Sequence, residues 1–319
     1  MKTASPTVSV IIPCFNAASW LGEAIESSLS QTHKPLEVIV VDDGSTDSSV
    51  KVIRSFGDVV RWETGPNVGG NHARNRGFVL SKGAYIQFLD ADDYLLPTKI
   101  AAQVEFLTKT GGDAVYGDWQ HQHHRPNGVI EIGDIAVAGD QDDILESLLG
   151  EWWVAPVATL FRRQAINKIA GWDESLRAAQ DRDFMISLAM AGARILYQSG
   201  CHSIYRRYGK VTVSTSNVLL WTRDHCRVLD KAAVALAIKG GPNVKYARTL
   251  AKSYFSLART VFDLDRKMYA DLMLRTISFD PKFSPHPSKS YVAIQRLFGF
   301  YVAEMAASLR RRLAKGEIF

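Results

Sequence analysis

The strongest constraint on the fold is a repeated alternation of apolar strand-like runs and helix-like segments in the first third of the chain. The run at residues 36–41 (LEVIVV) is continuous and apolar, as is typical of a strand buried on both faces. Further strand-like runs lie at 8–12, 59–62 and 84–89, and helix-like segments follow at 20–29, from 45, at 70–80 and at 99–107. This order predicts an α/β fold with a mostly parallel central sheet and helices on both faces. In such sheets, ligands bind at the carboxyl ends of the strands.

The rest of the chain divides into a continuation of this pattern and a helical extension. The continuation consists of elements at 114–116, 129–132, 181–191 and 194–197. The extension consists of long helical stretches at 218–238, 243–276 and 290–315. We therefore predict an α/β domain over residues 1–216 and a basic helical extension over residues 217–319.

Charge is distributed unevenly, although the net charge of the chain is only +5. Residues 205–319 contain 21 Lys and Arg against 8 Asp and Glu, whereas residues 1–204 contain 17 against 25. Such a basic region either is solvated or faces an anionic partner. We expect the C-terminal helices to contact a membrane surface peripherally or to form a homodimer, and we expect no nucleic-acid partner.

The sequence favours a reduced compartment. It contains no window of about 18 apolar residues that would span a membrane, and the N-terminus lacks the leader of a secreted protein. Its three cysteines (Cys14, Cys201 and Cys226) are scattered and odd in number, which argues against a disulfide framework. We therefore expect a cytoplasmic protein, either free or peripheral on the inner face of the membrane.

Polar clusters follow three of the predicted strands. They are Pro13-Cys14-Phe15-Asn16, Asp42-Asp43-Gly44-Ser45 and Asp90-Ala91-Asp92-Asp93. Each acidic cluster alone also fits a helix cap in a turn. On one edge of a sheet, however, the two would repel unless a cation or hydrogen-bond donors compensated. Together they indicate a divalent cation, and hard oxygen ligands suit Mg²⁺ or Mn²⁺.

Five segments occur in an order that resembles a known family. They are VSVIIPCFN (8–16), SLSQTHKPLEVIVVDDGSTD (28–47), GPNVGGNHARNRGF (65–78), GAYIQFLDADD (83–93) and GWDESL with QDRDF (171–184). The set resembles the inverting family 2 glycosyltransferases, which have the A-type nucleotide-sugar-binding (GT-A) fold. The resemblance covers about two thirds of the chain. It implies a metal-dependent hexosyltransferase that moves a sugar from a nucleotide-diphosphate sugar, such as a UDP-sugar, to a hydroxyl of a saccharide or lipid-linked acceptor in cell-envelope polysaccharide or glycoconjugate synthesis.

The resemblance also implies residue roles on the donor side. Asp43 corresponds to the aspartate that accepts a hydrogen bond from the nucleotide base, and Asp42 lies beside it. Arg74, near a helix N-terminus, is expected to balance the charge of the diphosphate, although a surface salt bridge is the alternative reading. The remaining donor-side residues are Pro13, Phe15, Asn16 and Asn71.

The DxD motif of the family corresponds to Asp90-Ala91-Asp92. The resemblance implies that Asp92 binds a Mn²⁺ or Mg²⁺ ion that bridges the two phosphates. Asp90 would contact the ribose or a water molecule on the metal. For Asp93, a supporting ligand role and the cap of the following turn remain equally open.

The base that deprotonates the acceptor hydroxyl corresponds to Asp181. The family presents it in a Glu-Asp pair, whereas this chain has Gln180-Asp181, so the first position cannot titrate. A helix N-terminus lowers the pKa of a carboxylate, so we expect a low pKa for Asp181. Its alternative role is that of an ordinary helix-terminal acid. On the acceptor side, Trp172 and Asp173 match the family's turn, and Trp172 either stacks on a sugar or belongs to the core.

Several features fit the family less well. Tyr208 stands where a histidine is common, so Arg206 or Arg207 is the alternative contact there. His121, His123 and His124 resemble a zinc cluster, but without a cysteine they are predicted to lie in a solvated loop. A DxD phosphatase, a nucleotidyltransferase on a related sheet and a non-catalytic nucleotide-sugar-binding protein are the rival functions.

Overall fold

The computed structural model describes residues 6–125, 127–208, 217–285 and 288–314. The chain forms two compact units. One comprises Met1–Leu148 and Trp152–Thr212, and the other comprises Leu149–Glu151 and Val213–Phe319.

The first unit is built on a central sheet that has nine strands in the described ranges. They are β1 (Val8–Cys14), β2 (Leu36–Asp42), β3 (Arg61–Thr64), β4 (Tyr85–Phe88), β5 (Tyr94–Leu95), β6 (Ala114–His124), β7 (Ile130–Ala136), β8 (Thr159–Arg162) and β9 (Ile195–Tyr208). Their order across the sheet is β3-β2-β1-β4-β8-β6-β9-β5, and β7 pairs with β6.

The α-helices of this unit are α1 (Leu21–Leu29), α2 (Ser49–Ser55), α3 (Gly70–Leu80), α4 (Lys99–Thr110), α5 (Ile144–Leu149), α6 (Arg163–Ile166) and α7 (Gln180–Met190). Two predicted starts were wrong. The helix predicted from residue 20 begins at Leu21, with Trp20 in the cap position and no side chain capping it. The start of α2 at Ser49 is later than the predicted start at Ser45, because the intervening backbone N–H groups bond to the side chain of Asn16.

Four neighbouring strands, β3-β2-β1-β4, run parallel. The connections from β1 to β2 and from β2 to β3 move one way across the sheet, whereas the connection from β3 to β4 returns past β1. Because such crossovers are right-handed, α1 and α2 lie on one face of the sheet and α3 on the other. Successive strands are added towards one edge of the sheet from β1 to β3 and towards the other edge at β4. The carboxyl ends of β1 and β4, where this change occurs, are the expected ligand crevice.

The other side of the sheet is mixed. β8 runs antiparallel to both β4 and β6, while β9 runs parallel to β6 and antiparallel to β5. The predicted α/β class with a central sheet is confirmed. The parallel strands predicted from the repeated pattern are those of the N-terminal part, and β8 joins them to the rest.

The core beside the crevice forms where α3 packs on the parallel strands. Ile39 and Val41 of β2 cluster with Ala73 and Leu80 of α3. At Gly77, the absence of a side chain allows α3 to approach β1, because a Cβ atom there would overlap the side chain of the fully buried Ile11.

The second unit contains four helices within its described residues. They are α8 (Val218–Ile238), α9 (Val244–Val261), α10 (Arg266–Phe279) and α11 (Lys289–Ala314). The side chain of Asp265 accepts the N–H of Met268 and caps α10, so the predicted single stretch at 243–276 is two helices. Gly299 interrupts the helical geometry of α11 with a φ of 81°. Within the described ranges, none of the helices combines the length and the apolarity needed to cross a membrane.

We predict that Gly77→Ala lowers the free energy of unfolding by about 1–3 kcal/mol, the usual cost of overpacking a core. The matched control is Gly22→Ala in α1, where a Cβ would lie 3.8 Å from Val52 Cγ1, an ordinary contact. The control should leave stability unchanged or raise it by up to about 1 kcal/mol. Urea unfolding of both variants measures the difference, and equal stabilities would contradict the close approach of α3 to β1.

Candidate active site

Asn16 joins the two loops that follow β1 and β2. Its side-chain oxygen accepts the N–H of Thr46 at 2.8 Å and that of Asp47 at 3.3 Å, and its own N–H donates to Ser45 Oγ at 2.9 Å. Its φ of 49° lies in the left-handed region, which Asn tolerates better than most residues. Asn16 therefore holds the loops in place, and the neighbouring Phe15 presents a ring that is 50% exposed.

The two carboxylates after β2 have different surroundings. Asp42 is 1% exposed and accepts the Thr64 hydroxyl at 2.6 Å, so it supports the loop. This corrects its expected contact with the nucleotide. The two oxygens of Asp43 accept the N–H groups of Val68 at 2.9 Å and Gly69 at 2.8 Å. Asp43 therefore orders the segment that leads into α3, and each of its oxygens keeps a lone pair for a further donor.

Three carboxylates meet directly after β4. Asp90, Asp92 and Asp93 each place an oxygen within 4.8 Å of the others. Burial, together with the neighbouring carboxylates, raises the pKa of Asp92 and raises the pKa of Asp93 well above its ordinary value. Ala91, between them, is buried. The three aspartates that are close in sequence are therefore also close in the structure.

The acidic cluster fits a divalent cation. Asp93 Oδ1 accepts the N–H of Arg206 at 2.8 Å, but Asp93 Oδ2 is buried and has no hydrogen-bond partner among the described residues. Burying a carboxylate oxygen without a donor is costly, and two further carboxylates beside it increase that cost. Asp90, Asp92 and Asp93 offer the hard oxygen ligands that Mg²⁺ and Mn²⁺ prefer.

Two buried arginines compensate part of this negative charge. Arg74 donates to Asp90 Oδ1 at 2.5 Å and to Asn71 Oδ1 at 3.1 Å. Its side chain is 9% exposed, so the pair is not a surface salt bridge. Arg206 is 1% exposed, donates to the backbone carbonyl of Asp92 at 3.2 Å and pairs with Glu23 of α1. Glu23 had no role in the sequence prediction, because only the fold brings α1 beside β9.

Tyr208 covers one side of the cluster. Its hydroxyl donates to Asp92 Oδ2 at 3.0 Å, and its ring stacks on Trp20 with the ring centroids 5.1 Å apart. Burial, followed by the charge of Asp92, raises the pKa of Tyr208. Tyr208 therefore contacts the candidate metal ligand from the position where the family resemblance led us to look for histidine. Gly209, which follows, lies outside the described residues.

Trp172 lies in the core. It is 4% exposed, and its ring stacks on Phe184 with the centroids 4.3 Å apart and contacts Phe88 edge-on at 5.1 Å. The guanidinium of Arg74 lies 4.8 Å from the ring centroid, a cation–π contact. A sugar cannot stack on a ring enclosed in this way. This corrects the expected acceptor contact of Trp172, which instead supports Arg74.

The segment that contains Trp172 is tied to α3 by two asparagines. Asn71 Nδ2 donates to the carbonyl oxygens of Asp173 at 2.7 Å and Leu176 at 3.2 Å. Asn75 donates to the carbonyl of Trp172 and accepts its N–H, both at 2.9 Å. Asn71 is thus a positioning residue for Arg74 and this segment, which corrects its expected contact with the donor.

Asp181 lies beside Gln180 in the first turn of α7. Both side chains are half-buried, and Asp181 Oδ1 accepts the N–H of Arg182 at 2.8 Å. Burial raises the pKa of Asp181, while the charge of Arg74 opposes the rise and that of Asp90 adds to it. The expected low pKa was therefore wrong, since burial outweighs the helix terminus. Asp181 therefore lies close enough to Arg74 and Asp90 for their charges to shift its pKa.

The histidines predicted to lie in a solvated loop are instead on β6. The rings of His121 and His123 have centroids 6.0 Å apart, and His124 Nε2 lies 2.9 Å from Gln122 Oε1. The prediction failed because alternating polar residues conceal a strand that pairs with β7 and β9. Nearby, the ring of Trp153 is 38% exposed, and it packs against other aromatic rings.

One protein-family model matches the N-terminal part of the chain. Residues 9–131 match the model of Glycosyl transferase family 2. This stretch contains all of β1 except Val8, then β2 to β4 and the acidic cluster. The resemblance to the family 2 glycosyltransferases is therefore confirmed.

The chain is also similar to individual glycosyltransferases. The chain is 43% identical over 190 residues to an uncharacterised glycosyltransferase of Rickettsia typhi, covering 57% of this chain and 58% of the relative. It is 39% identical over 102 residues to the Escherichia coli UDP-Glc:alpha-D-GlcNAc-diphosphoundecaprenol beta-1,3-glucosyltransferase WfaP, covering 31% of this chain and 41% of the relative. The chain spans 31% to 65% of the length of three Rickettsia relatives.

Solved structures show the same fold. The chain superposes on S. aureus TarS 1-349 in complex with UDP with a TM-score of 0.67 and 19% identity, covering 95% of this chain and 91% of TarS 1-349. At this identity the likeness concerns the fold, which is that of a GT-A-type glycosyltransferase.

We predict that Trp172→Ala lowers the free energy of unfolding by about 3–5 kcal/mol, because a large buried ring is lost. The control is Trp153→Ala, where a partly exposed ring should cost clearly less. Chemical denaturation followed by circular dichroism compares the two variants. A stable Trp172→Ala protein that has only lost acceptor affinity would restore the sugar-stacking role.

Proposed function

We propose that this protein is an inverting glycosyltransferase of the hexosyltransferase class that transfers a sugar from a UDP-sugar to a hydroxyl of a saccharide or lipid-linked acceptor. The carrying observation is that Asp90, Asp92 and Asp93 meet beyond the carboxyl end of β4, where the charge of Asp90 also raises the pKa of Asp181. Asp90, Asp92 and Asp93 suit a cation that would stabilise a departing diphosphate, and Asp181 suits the role of proton acceptor.

The donor is proposed to bind at the carboxyl ends of β1, β2 and β4. Phe15 offers an exposed ring next to the backbone of Pro13, and Asp43 offers a carboxylate for the imide N–H of uracil. Asn16 fixes the loop that carries them. The E. coli relative WfaP is named as a user of UDP-Glc, and TarS has been solved with UDP, which supports a uridine nucleotide here.

Asp90, Asp92 and Asp93 are proposed to hold a Mn²⁺ or Mg²⁺ ion next to the diphosphate. Such an ion, when bound, stabilises the negative charge that develops on the departing nucleoside diphosphate. Arg74 orients Asp90 through their buried ion pair. Tyr208 holds Asp92 from the opposite side.

Asp181 is proposed to be the general base. It takes the proton of the acceptor hydroxyl, the acceptor oxygen forms a bond to the anomeric carbon, and the bond from that carbon to the phosphate oxygen breaks with its electron pair leaving on UDP. Inversion follows because attack and departure occur on opposite sides of the carbon. A pKa raised by burial makes Asp181 a stronger base than an exposed aspartate. Gln180 and Asp173 are proposed to orient acceptor hydroxyls by hydrogen bonds.

The acceptor is proposed to belong to cell-envelope polysaccharide or glycoconjugate synthesis, with the enzyme acting in the cytoplasm or on the inner face of the membrane. The supporting observation is that the relative WfaP is named for a diphosphoundecaprenol-linked acceptor.

We predict that Asp92→Ala abolishes the metal-dependent part of UDP binding, because it removes a central oxygen ligand of the cation. Titration calorimetry with UDP, in Mn²⁺ and in chelator, measures this part directly. Asp58→Ala, which removes an exposed carboxylate from the same unit, is the control and should bind as the parent does. Unchanged Mn²⁺-dependent affinity in Asp92→Ala would refute the metal assignment.

We predict that Asp181→Asn binds UDP normally but loses on the order of 10²–10⁴ in turnover, the usual contribution of a general base. The assay is UDP release from UDP-sugars in Mn²⁺, with Asp58→Asn as the control. In the parent enzyme, activity requires the ionised carboxylate and should fall as the pH drops through a pKa above the ordinary aspartate value of about 3.9. Full turnover in Asp181→Asn would show that another residue is the base, and no turnover in the parent would indicate a binding protein. Metal-independent phosphate release from phosphomonoesters would indicate a phosphatase.

A further inference from the structure

Helix α11 has its polar side buried and its apolar side exposed. Glu304 is fully buried and accepts hydrogen bonds from Arg259 at 3.0 Å, from Arg311 at 2.8 Å and from the hydroxyl of Tyr291 at 3.0 Å. One turn further on, Ser308 donates to the carboxylate of Asp263. A buried carboxylate with these partners cannot leave them without a large cost, so the network fixes how α11 is rotated.

The opposite side of α11 exposes a row of large apolar residues. We call this row the α11 stripe; its members are Val302 (36% exposed), Met305 (48%), Leu309 (52%) and Leu313 (49%). The spacing of three, four and four residues places them on one face of the helix. Just before the kink at Gly299, Leu297 and Phe298 are also exposed, at 76% and 65%. A contiguous exposed apolar row marks an interaction surface.

The charges around the stripe decide which partner it suits. In residues 289–314 the only carboxylate is Glu304, which is buried, whereas the basic residues Lys289, Arg296, Arg310 and Arg312 are exposed. The guanidinium of Arg266 of α10 lies 5.6 Å from the ring of Tyr301 at the edge of the stripe, but its charge is shared with Asp263 at 3.7 Å. A second copy of this helix would bring like charges together, while an anionic surface would neutralise them.

We propose that the α11 stripe docks onto an anionic lipid membrane. The helix lies in the plane of the interface, with Met305, Leu309 and Leu313 among the acyl chains near the headgroups and the arginines against the anionic headgroups. The long side chains of Arg310 and Arg312 reach the headgroups while their stems stay against the apolar row. This contact is a property of the helical unit and does not depend on the proposed catalysis.

The test is co-sedimentation of the full chain with vesicles of phosphatidylethanolamine and phosphatidylglycerol, and with vesicles of phosphatidylcholine alone. The full chain should sediment with the anionic vesicles and should not sediment with the neutral ones. The triple variant Met305→Gln, Leu309→Gln, Leu313→Gln should weaken binding by about tenfold or more, because it removes the inserted apolar residues. The control triple Ile238→Gln, Leu274→Gln, Ile277→Gln replaces exposed apolar residues on α8 and α10 and should bind as the parent does.

A second variant, Arg310→Gln with Arg312→Gln, separates the charge contribution from the apolar one and leaves the Arg311–Glu304 contact in place. It should lower binding to anionic vesicles several-fold and reduce the sensitivity to salt. Thermal melting and UDP binding verify that each variant is folded. Equal binding by the stripe variant and the control, or no binding by the parent, would overturn the proposal. A dimer in size-exclusion chromatography that only the stripe variant loses, without vesicle binding, would instead assign the stripe to a second copy.

Discussion

The buried ion pair between Arg74 and Asp90 is the interaction on which the rest of the site depends. A guanidinium in this position requires an anionic partner, because removing a charge from water is costly unless it is paired. Asp90 supplies the charge and the ring of Trp172 supplies a π face on which Arg74 rests. The pair and this ring contact thereby join α3, the end of β4 and the segment before α7.

A second arginine, from β9, also compensates the negative charge of the acidic cluster. Arg206, on β9, pairs with Glu23 of α1 and donates to the backbone of Asp92. The carboxylate of Asp92 is held by the hydroxyl of Tyr208, and that of Asp93 accepts the backbone N–H of Arg206 rather than its guanidinium. The fold thus neutralises part of the charge with arginines and leaves two carboxylates whose pKa values are raised by burial and by their mutual repulsion, which a bound cation would relieve.

Elements with strong local patterns could be predicted from the sequence. The bounds of α3 were correct, and those of β2 differed by one residue, because their apolar spacing or continuity is distinctive. The short strands β5 and β8 were missed, since two to four residues carry no periodic signal and form only by pairing with distant strands. The site followed the same division. The aspartates after β4 were identified as a cluster, but the support that Glu23 and Tyr208 give to it depends on contacts more than a hundred residues apart in sequence.

The sequence by itself determined the order of the longer N-terminal strands and helices, the resemblance to a family and the residues at which the carboxylates collect, because these depend on local apolar patterns and short motifs. Only the tertiary structure decided that Trp172 is a core residue, that Asp42 and Asn71 support loops, and that burial raises the pKa of Asp181. It also decided which side of α11 is exposed, through the buried contacts of Glu304. Burial and charge pairing are set by residues from distant parts of the chain, so no local pattern specifies them.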